Sequence, residues 1–180
     1  MSFKSILLFV GFLLLLLIIL HASPRKVLED IQSQSIYVNE TIGDGNCLFR
    51  ALSYSLYKTQ EYHEYLREKI VNYLIRSRVQ NKLNESWFSE DANGLNYYDF
   101  YNIKMRENGT YGDYYCILAA VQILKQDICV INGNIMTAFR YCPNKLIPSL
   151  EVLKHGWRKE LKGIVLKYDN EHYETVITII

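Results

Sequence analysis

Two residues separated by most of the chain carry the chemistry of a hydrolase. Cys47 follows the turn-forming run Gly43-Asp44-Gly45-Asn46 and opens the apolar, helix-compatible stretch Leu48-Phe49-Arg50-Ala51-Leu52. A thiol at a helix N-terminus faces unpaired backbone N–H groups and the positive end of the helix dipole, surroundings that favour the nucleophilic thiolate. His172, in Asn170-Glu171-His172-Tyr173-Glu174, opens the strand-like run that finishes the chain. A cysteine early and a histidine late is the layout of a thiol hydrolase whose pair meets only in space.

Taken singly, Cys47 reads as a buried thiol and His172 as an ordinary core or surface residue. The glycines alter that reading. Gly43 and Gly45 supply backbone freedom that a strand-to-helix connection rarely needs twice, and they let the N–H groups of residues 44 to 47 converge beside the sulfur. Such a convergence is an oxyanion hole, in which one preorganised donor is worth roughly 3–4 kcal/mol. Residues two apart on a strand share a face, so Asn170, His172 and Glu174 lie side by side if the strand begins early enough. Either neighbour then accepts the Nδ1 proton and leaves Nε2 toward sulfur. Asp44 has a catalytic reading and a structural one, in which it fixes the loop or caps the Cys47 helix.

Gly43-Asp44-Gly45-Asn46-Cys47-Leu48-Phe49-Arg50-Ala51-Leu52 closely resembles the nucleophile motif of the OTU (ovarian tumour) family of deubiquitinating cysteine proteases, and His172-Tyr173-Glu174 is similar to its histidine motif. Met105, Gly109-Thr110-Tyr111-Gly112 and Leu118-Ala119-Ala120 resemble the family's central segment, with Tyr111 where tryptophan is usual and Asp113 where a second glycine is. The similarity runs from about Tyr37 to the C-terminus. It implies an α/β (α+β) papain-like OTU domain, a small mixed or antiparallel sheet packed between helices. It also implies hydrolysis of the isopeptide or peptide bond after the C-terminal glycine of ubiquitin, through a thioester on Cys47. Carried over residue by residue, Cys47 is the nucleophile, His172 the general base, and Asp44 the acidic position of the loop. Glu174 stands where an Asp or Asn often orients the imidazole. No metal or organic cofactor is implied, and the partner is ubiquitin, polyubiquitin or a ubiquitin-like modifier.

The elements that must position these residues are legible in the pattern. Ser35 to Glu40 looks extended and leads into the turn; Cys47 to Tyr57 reads as a helix. From Tyr62 to Val79, Tyr62, Leu66, Ile70, Tyr73 and Leu74 recur at helical spacing, an amphipathic helix to which no chemistry is assigned. Tyr97 to Met105 and Tyr114 to Lys125 read as helices. Ile128 to Ile131, Met136 to Tyr141, Gly163 to Tyr168 and Tyr173 to Ile180 read as strands, and Asn132-Gly133-Asn134 predicts a hairpin. Pro143 and Pro148 mark a loop, and Lys154 to Lys162 is a basic stretch of undefined form.

The chain has 180 residues, 49% of them hydrophobic, with 20 basic against 19 acidic residues, a formal net charge of +1, and no long block of one sign, so no extended nucleic-acid footprint is indicated. The four cysteines, at 47, 116, 129 and 142, show no C-x-x-C spacing, which argues against structural zinc. Cys116 and Cys129 read as buried hydrophobes and Cys142 as a loop residue.

Ile6 to Leu20 is an unbroken apolar run. Residues 1–22 are read as a hydrophobic helix, a membrane anchor or a signal peptide, 23–35 as a linker and 36–180 as the catalytic domain. Counting from Phe3 to Ala22 gives a helical rise of about 30 Å, the thickness of a bilayer core. Arg25 and Lys26 outnumber Lys4 and place the domain on the cytoplasmic side in the anchored reading. In the secreted reading, the patterns at Asn39, Asn84 and Asn108 become glycosylation acceptors. Two other functions stand beside the deubiquitinase: a catalytically weak ubiquitin-binding module, following from Tyr111 and Asp113, and a secreted thiol hydrolase with another substrate.

Overall fold

The computed structural model describes residues 36–76, 99–154 and 161–179. The apolar run at 1–22 and the linker at 23–35 lie outside them, as does the Asn84 acceptor; among the described residues no helix is long and apolar enough to cross a membrane. One compact unit, Tyr37–Thr178, holds the described elements apart from the outermost residues of the first and last strands.

Six strands form one sheet: β1 Ile36–Asn39, β2 Ile128–Asn132, β3 Ile135–Arg140, β4 Ser149–Leu153, β5 Ile164–Asp169 and β6 His172–Ile179. Their order is β1-β6-β5-β2-β3-β4. β2 pairs antiparallel with β3 and parallel with β5, while β3–β4 and β5–β6 are antiparallel. The sheet is therefore mixed, and the hairpin foreseen at Asn132-Gly133-Asn134 joins β2 to β3 with Asn132 opposite Ile135.

Among the described residues three α-helices accompany the sheet: α1 Cys47–Tyr57, α2 His63–Leu74 and α3 Tyr114–Leu124. Leu48, Phe49 and Leu52 of α1, Leu66, Ile70 and Leu74 of α2, and Ile117, Leu118 and Val121 of α3 share one core with Ile128, Phe139, Ile164 and Leu166 of the sheet. The buried stripe of α2 differs from the one foreseen. His63 and Arg67 belong to it, whereas Tyr62 precedes the helix, half exposed, with its ring 4.9 Å from that of Tyr57.

Of the tyrosine-rich segment read as a helix, Tyr97 and Tyr98 lie outside the described residues, and Phe100–Lys104 forms a π-helical turn whose second residue, Tyr101, is fully buried. β4 lies between the loop marked by Pro143 and Pro148 and the basic stretch that starts at Lys154, at positions for which no element was foreseen. As an edge strand it has no neighbour on one side among the described residues, and Leu150, Glu151 and Val152 are all exposed, so it shows no alternation of apolar and polar positions. Its pairing on β3 is reinforced by Arg140, whose Nη2 lies 3.3 Å from Glu151.

Candidate functional site

Cys47 is the first residue of α1 and is 1% exposed. The loop before it is built by local hydrogen bonds. Asp44 Oδ1 accepts from the backbone N–H of Asn46 at 3.0 Å, a turn that Asp forms two residues along its own chain. Arg50, one turn into α1, grips the same carboxylate with Nη2 at 2.6 Å and Nε at 3.0 and 3.2 Å. This fork holds the Asp44 carboxyl well below the usual carboxylate range. Of the two structural jobs foreseen for Asp44, the geometry shows loop fixation. The residue capping α1 is Asn46, with no side-chain capping bond. Because Asp44 takes the Asn46 N–H, the N–H groups of Asp44, Gly45 and Cys47 are the loop's candidates for holding an oxyanion.

His172 is the first residue of β6, and its ring packs on this loop: a Cβ placed on Gly43 would stand 3.9 Å from its Cε1. β6 is fastened to the thiol's helix farther along, where Thr175 Oγ1 donates to the carbonyl of Ala51 at 2.7 Å and lies 3.3 Å from Ser55 Oγ. The thiol and the imidazole thus belong to one assembly of loop, helix and strand, although 125 positions separate them in the numbering.

Glu174 keeps its two-residue spacing from His172 within β6 and pairs across the sheet with Lys167, Oε2 to Nζ 3.6 Å. Asn170 does not join that face. β6 begins only at His172, and Asn170 and Glu171 form the β5–β6 turn in left-handed conformations, φ 49° and 61°. The residue opposite His172 is Asp169, which sequence spacing did not single out.

The segment that departs from the family pattern is well supported. Asp113 caps α3, its Oδ1 accepting from the Cys116 N–H at 3.0 Å and its Oδ2 from the Tyr101 hydroxyl at 2.5 Å, while Tyr111 is exposed. Asp113 thus gives this helix start a side-chain cap that a glycine there lacks.

Two further residues join the site that sequence reasoning passed over. Asn46 Oδ1 accepts from Arg67 Nη2 at 2.6 Å and from the Gly109 N–H at 3.0 Å. Arg67, 3% exposed, also donates to the carbonyls of Met105 at 3.0 Å and Thr110 at 2.7 Å, and its guanidinium lies 4.0 Å from the Phe49 ring centroid. The available signal was a cation on the apolar stripe of α2, flanked by Leu66 and Ile70.

Cys116 and Cys129 are buried, and burial pushes both thiols up from their ordinary range, as inert thiols require. All four cysteines are free. Among the described residues no group of three or more His, Cys, Asp or Glu is placed to hold a metal.

Comparison with known proteins shows the family. A family model described as OTU-like cysteine protease matches residues 42–173. OVARIAN TUMOR DOMAIN-containing deubiquitinating enzyme 11 of Arabidopsis thaliana is 34% identical, over 74% of this chain and 47% of that one. Enzyme 9 of the same series and organism is 28% identical, over 84% of this chain and 39% of that one. The chain spans about half the length of such relatives, or less. Among solved structures, the OTU domain of OTUD1 superposes with a TM-score of 0.54 at 25% identity, covering 85% of this chain and 91% of the other.

Proposed function

This chain belongs to the OTU-like cysteine proteases, and on that basis we propose that it is a cysteine deubiquitinase cleaving the isopeptide or peptide bond after the C-terminal glycine of ubiquitin. The observation that carries the reading is the His172 ring resting on the loop that ends in Cys47, inside the segment that matches the family. The relatives' names as deubiquitinating enzymes supply the substrate class.

In this mechanism His172 takes the thiol proton and the sulfur of Cys47 attacks the scissile carbonyl. The tetrahedral oxyanion is held by N–H groups of residues 44 to 47, other than that of Asn46. His172 then gives its proton to the leaving amine, and a thioester between ubiquitin and Cys47 remains. Water, deprotonated by His172, attacks the thioester carbonyl, releasing the ubiquitin carboxylate and restoring the thiol. Asp44 acts through the loop and Arg50.

Ubiquitin carrying a C-terminal electrophile tests the assignment. The purified protein should become covalently labelled at Cys47, with Cys116, Cys129 and Cys142 unmodified by peptide mass mapping. Labelling at another cysteine, or none, refutes the proposal.

Glu174 is assigned as the residue that orients the His172 imidazole, at the cost of sharing its carboxylate with Lys167. Glu174→Gln is expected to lower kcat on diubiquitin about tenfold with KM unchanged, the signature of a lost transition-state contribution. If Glu174→Gln is silent and Asp169→Asn lowers kcat instead, the role passes to the cross-strand partner of His172.

The catalytically weak binding module loses its motivation at Asp113, since the substitution creates a cap for α3. Residence at a membrane rests on the apolar run at Ile6 to Leu20 alone.

A further inference from the structure

Arg67 is a cation placed where apolar residues belong. It is 3% exposed, and its Nε is buried with no hydrogen-bond partner among the described residues. Asp44 is occupied by Arg50, and Glu64 lies 3.2 Å from the Nδ2 of Asn108, so the oxygens that do meet Arg67 are neutral ones. Burying a guanidinium against neutral acceptors is costly, and an apolar side chain of similar volume would fill the space with less penalty. An apolar side chain, however, has no donors. What Arg67 does that no hydrophobe can do is serve three oxygens at once.

Those three oxygens have a common feature. Two of them, the carbonyls of Met105 and Thr110, lie at either end of the segment that carries Gly109; the third is Oδ1 of Asn46, the residue immediately before Cys47. Asn46 Oδ1 is shared with the Gly109 N–H, so the guanidinium and the Gly109 amide together fix the orientation of the Asn46 side chain. On the same contact Gly45 and Gly109 lie back to back, so close that a Cβ on Gly45 would stand 1.8 Å from the Gly109 carbonyl oxygen. The ring of Phe49, two residues after Cys47, covers the flat side of the guanidinium. Arg67 therefore touches the chain on both sides of the thiol, and the Gly109 segment as well, without being adjacent to the sulfur in sequence.

We propose that Arg67 is a positioning residue for Cys47: its guanidinium, held between Asn46, Phe49 and the carbonyls of Met105 and Thr110, locks the 43–47 loop against the 105–110 segment in the geometry that turnover requires. The inference rests on Cys47 being the nucleophile. A planar fork of donors is needed because the three acceptors lie in different directions, which a lysine ammonium on a flexible stem cannot satisfy together. Loss of the lock leaves the ubiquitin-binding surface in place and degrades the alignment of the attacking sulfur. A misplacement of about 1 Å at a reacting centre costs on the order of a hundredfold in rate.

The test uses the full chain with Arg67→Lys and Arg67→Gln. Both variants are expected to lower kcat on diubiquitin by about 10- to 100-fold, with KM within about threefold of the parent and lysine the less damaged of the two. Amide hydrogen exchange should rise in peptides covering 43–50 and 105–112, including the Gly109 N–H, and stay unchanged in β2, β3 and β5. A parent protein that fails to cleave ubiquitin overturns the proposed function, while the exchange measurement still decides whether Arg67 locks the loop. If the parent cleaves and the variants turn over normally, or exchange rises equally throughout the chain, the positioning role is overturned. Failure of both variants to fold makes Arg67 a residue of the folding core and overturns it too.

Discussion

Cys47→Ala should abolish cleavage of diubiquitin, by at least about 10⁴-fold, while leaving ubiquitin affinity within about twofold. The split follows from what the substitution removes. The sulfur supplies the bond-forming electron pair, and in nucleophilic catalysis no neighbouring group replaces it. Binding draws instead on a surface of many residues, of which the buried Cβ of residue 47 is a negligible part, since Cys47 is only 1% exposed. The fold should tolerate the change, because alanine has the best helix propensity and residue 47 opens α1. Turnover of diubiquitin and isothermal titration with ubiquitin on the same preparation provide the two readings. Unchanged turnover in the mutant would remove Cys47 from the mechanism. Lost binding with an intact circular dichroism spectrum would show that the thiol itself carries recognition.

Gly45→Ala is expected to be the most disruptive single methyl in the described structure. Gly45 sits at φ 81°, a left-handed conformation, and the added Cβ would stand 1.8 Å from the Gly109 carbonyl oxygen and 2.6 Å from its carbon. The obstacle is backbone, itself tied down by Asn46 through the Gly109 N–H, so it cannot swing aside as a side chain would. Strained positive φ for a non-glycine residue costs about 1–3 kcal/mol. Separating the two loops to make room adds the loss of the Asn46 contacts, so about 3 kcal/mol or more is expected. For a domain of this size that is a fall in Tm of roughly 10 °C.

Gly133→Ala is the matched control. Gly133 is also left-handed, at φ 54°, in the β2–β3 turn, but nothing lies within 4 Å of an added Cβ there. It should cost only the conformational part, about 1 kcal/mol, and leave turnover intact. Thermal melts followed by circular dichroism compare the two. Equal shifts would mean that the close approach of the two loops contributes nothing, and with it would fall the argument that they form one rigid site.

Local features of the chain were readable wherever a short-range rule governed them. The turn chemistry of Gly43 to Asn46 and the apolar spacing after it located α1 at Cys47 and Tyr57, its observed limits, because capping and periodicity act within one or two turns. Asn132-Gly133-Asn134 marked the hairpin for the same reason. Where neighbours in space decide, the pattern was silent or misleading. The edge strand β4 has exposed residues on both faces and borrows its conformation from β3. The turn at Phe100–Lys104 is widened to a π-helix around the buried Tyr101, and helical spacing alone does not distinguish the two forms.

The site divides along the same line. Residue types and the loop motif, by themselves, singled out Cys47 and His172 as the pair proposed for acyl transfer, since nucleophilicity and basicity are properties of side chains and their immediate backbone. Only the tertiary structure decided that the His172 ring rests on Gly43, that Asp44 serves the loop through Arg50, and that Arg67 reaches back from α2 to Asn46. The physical reason is that these contacts join positions 6 to 129 residues apart. Their geometry is set by how helices and sheet pack, which no local rule contains.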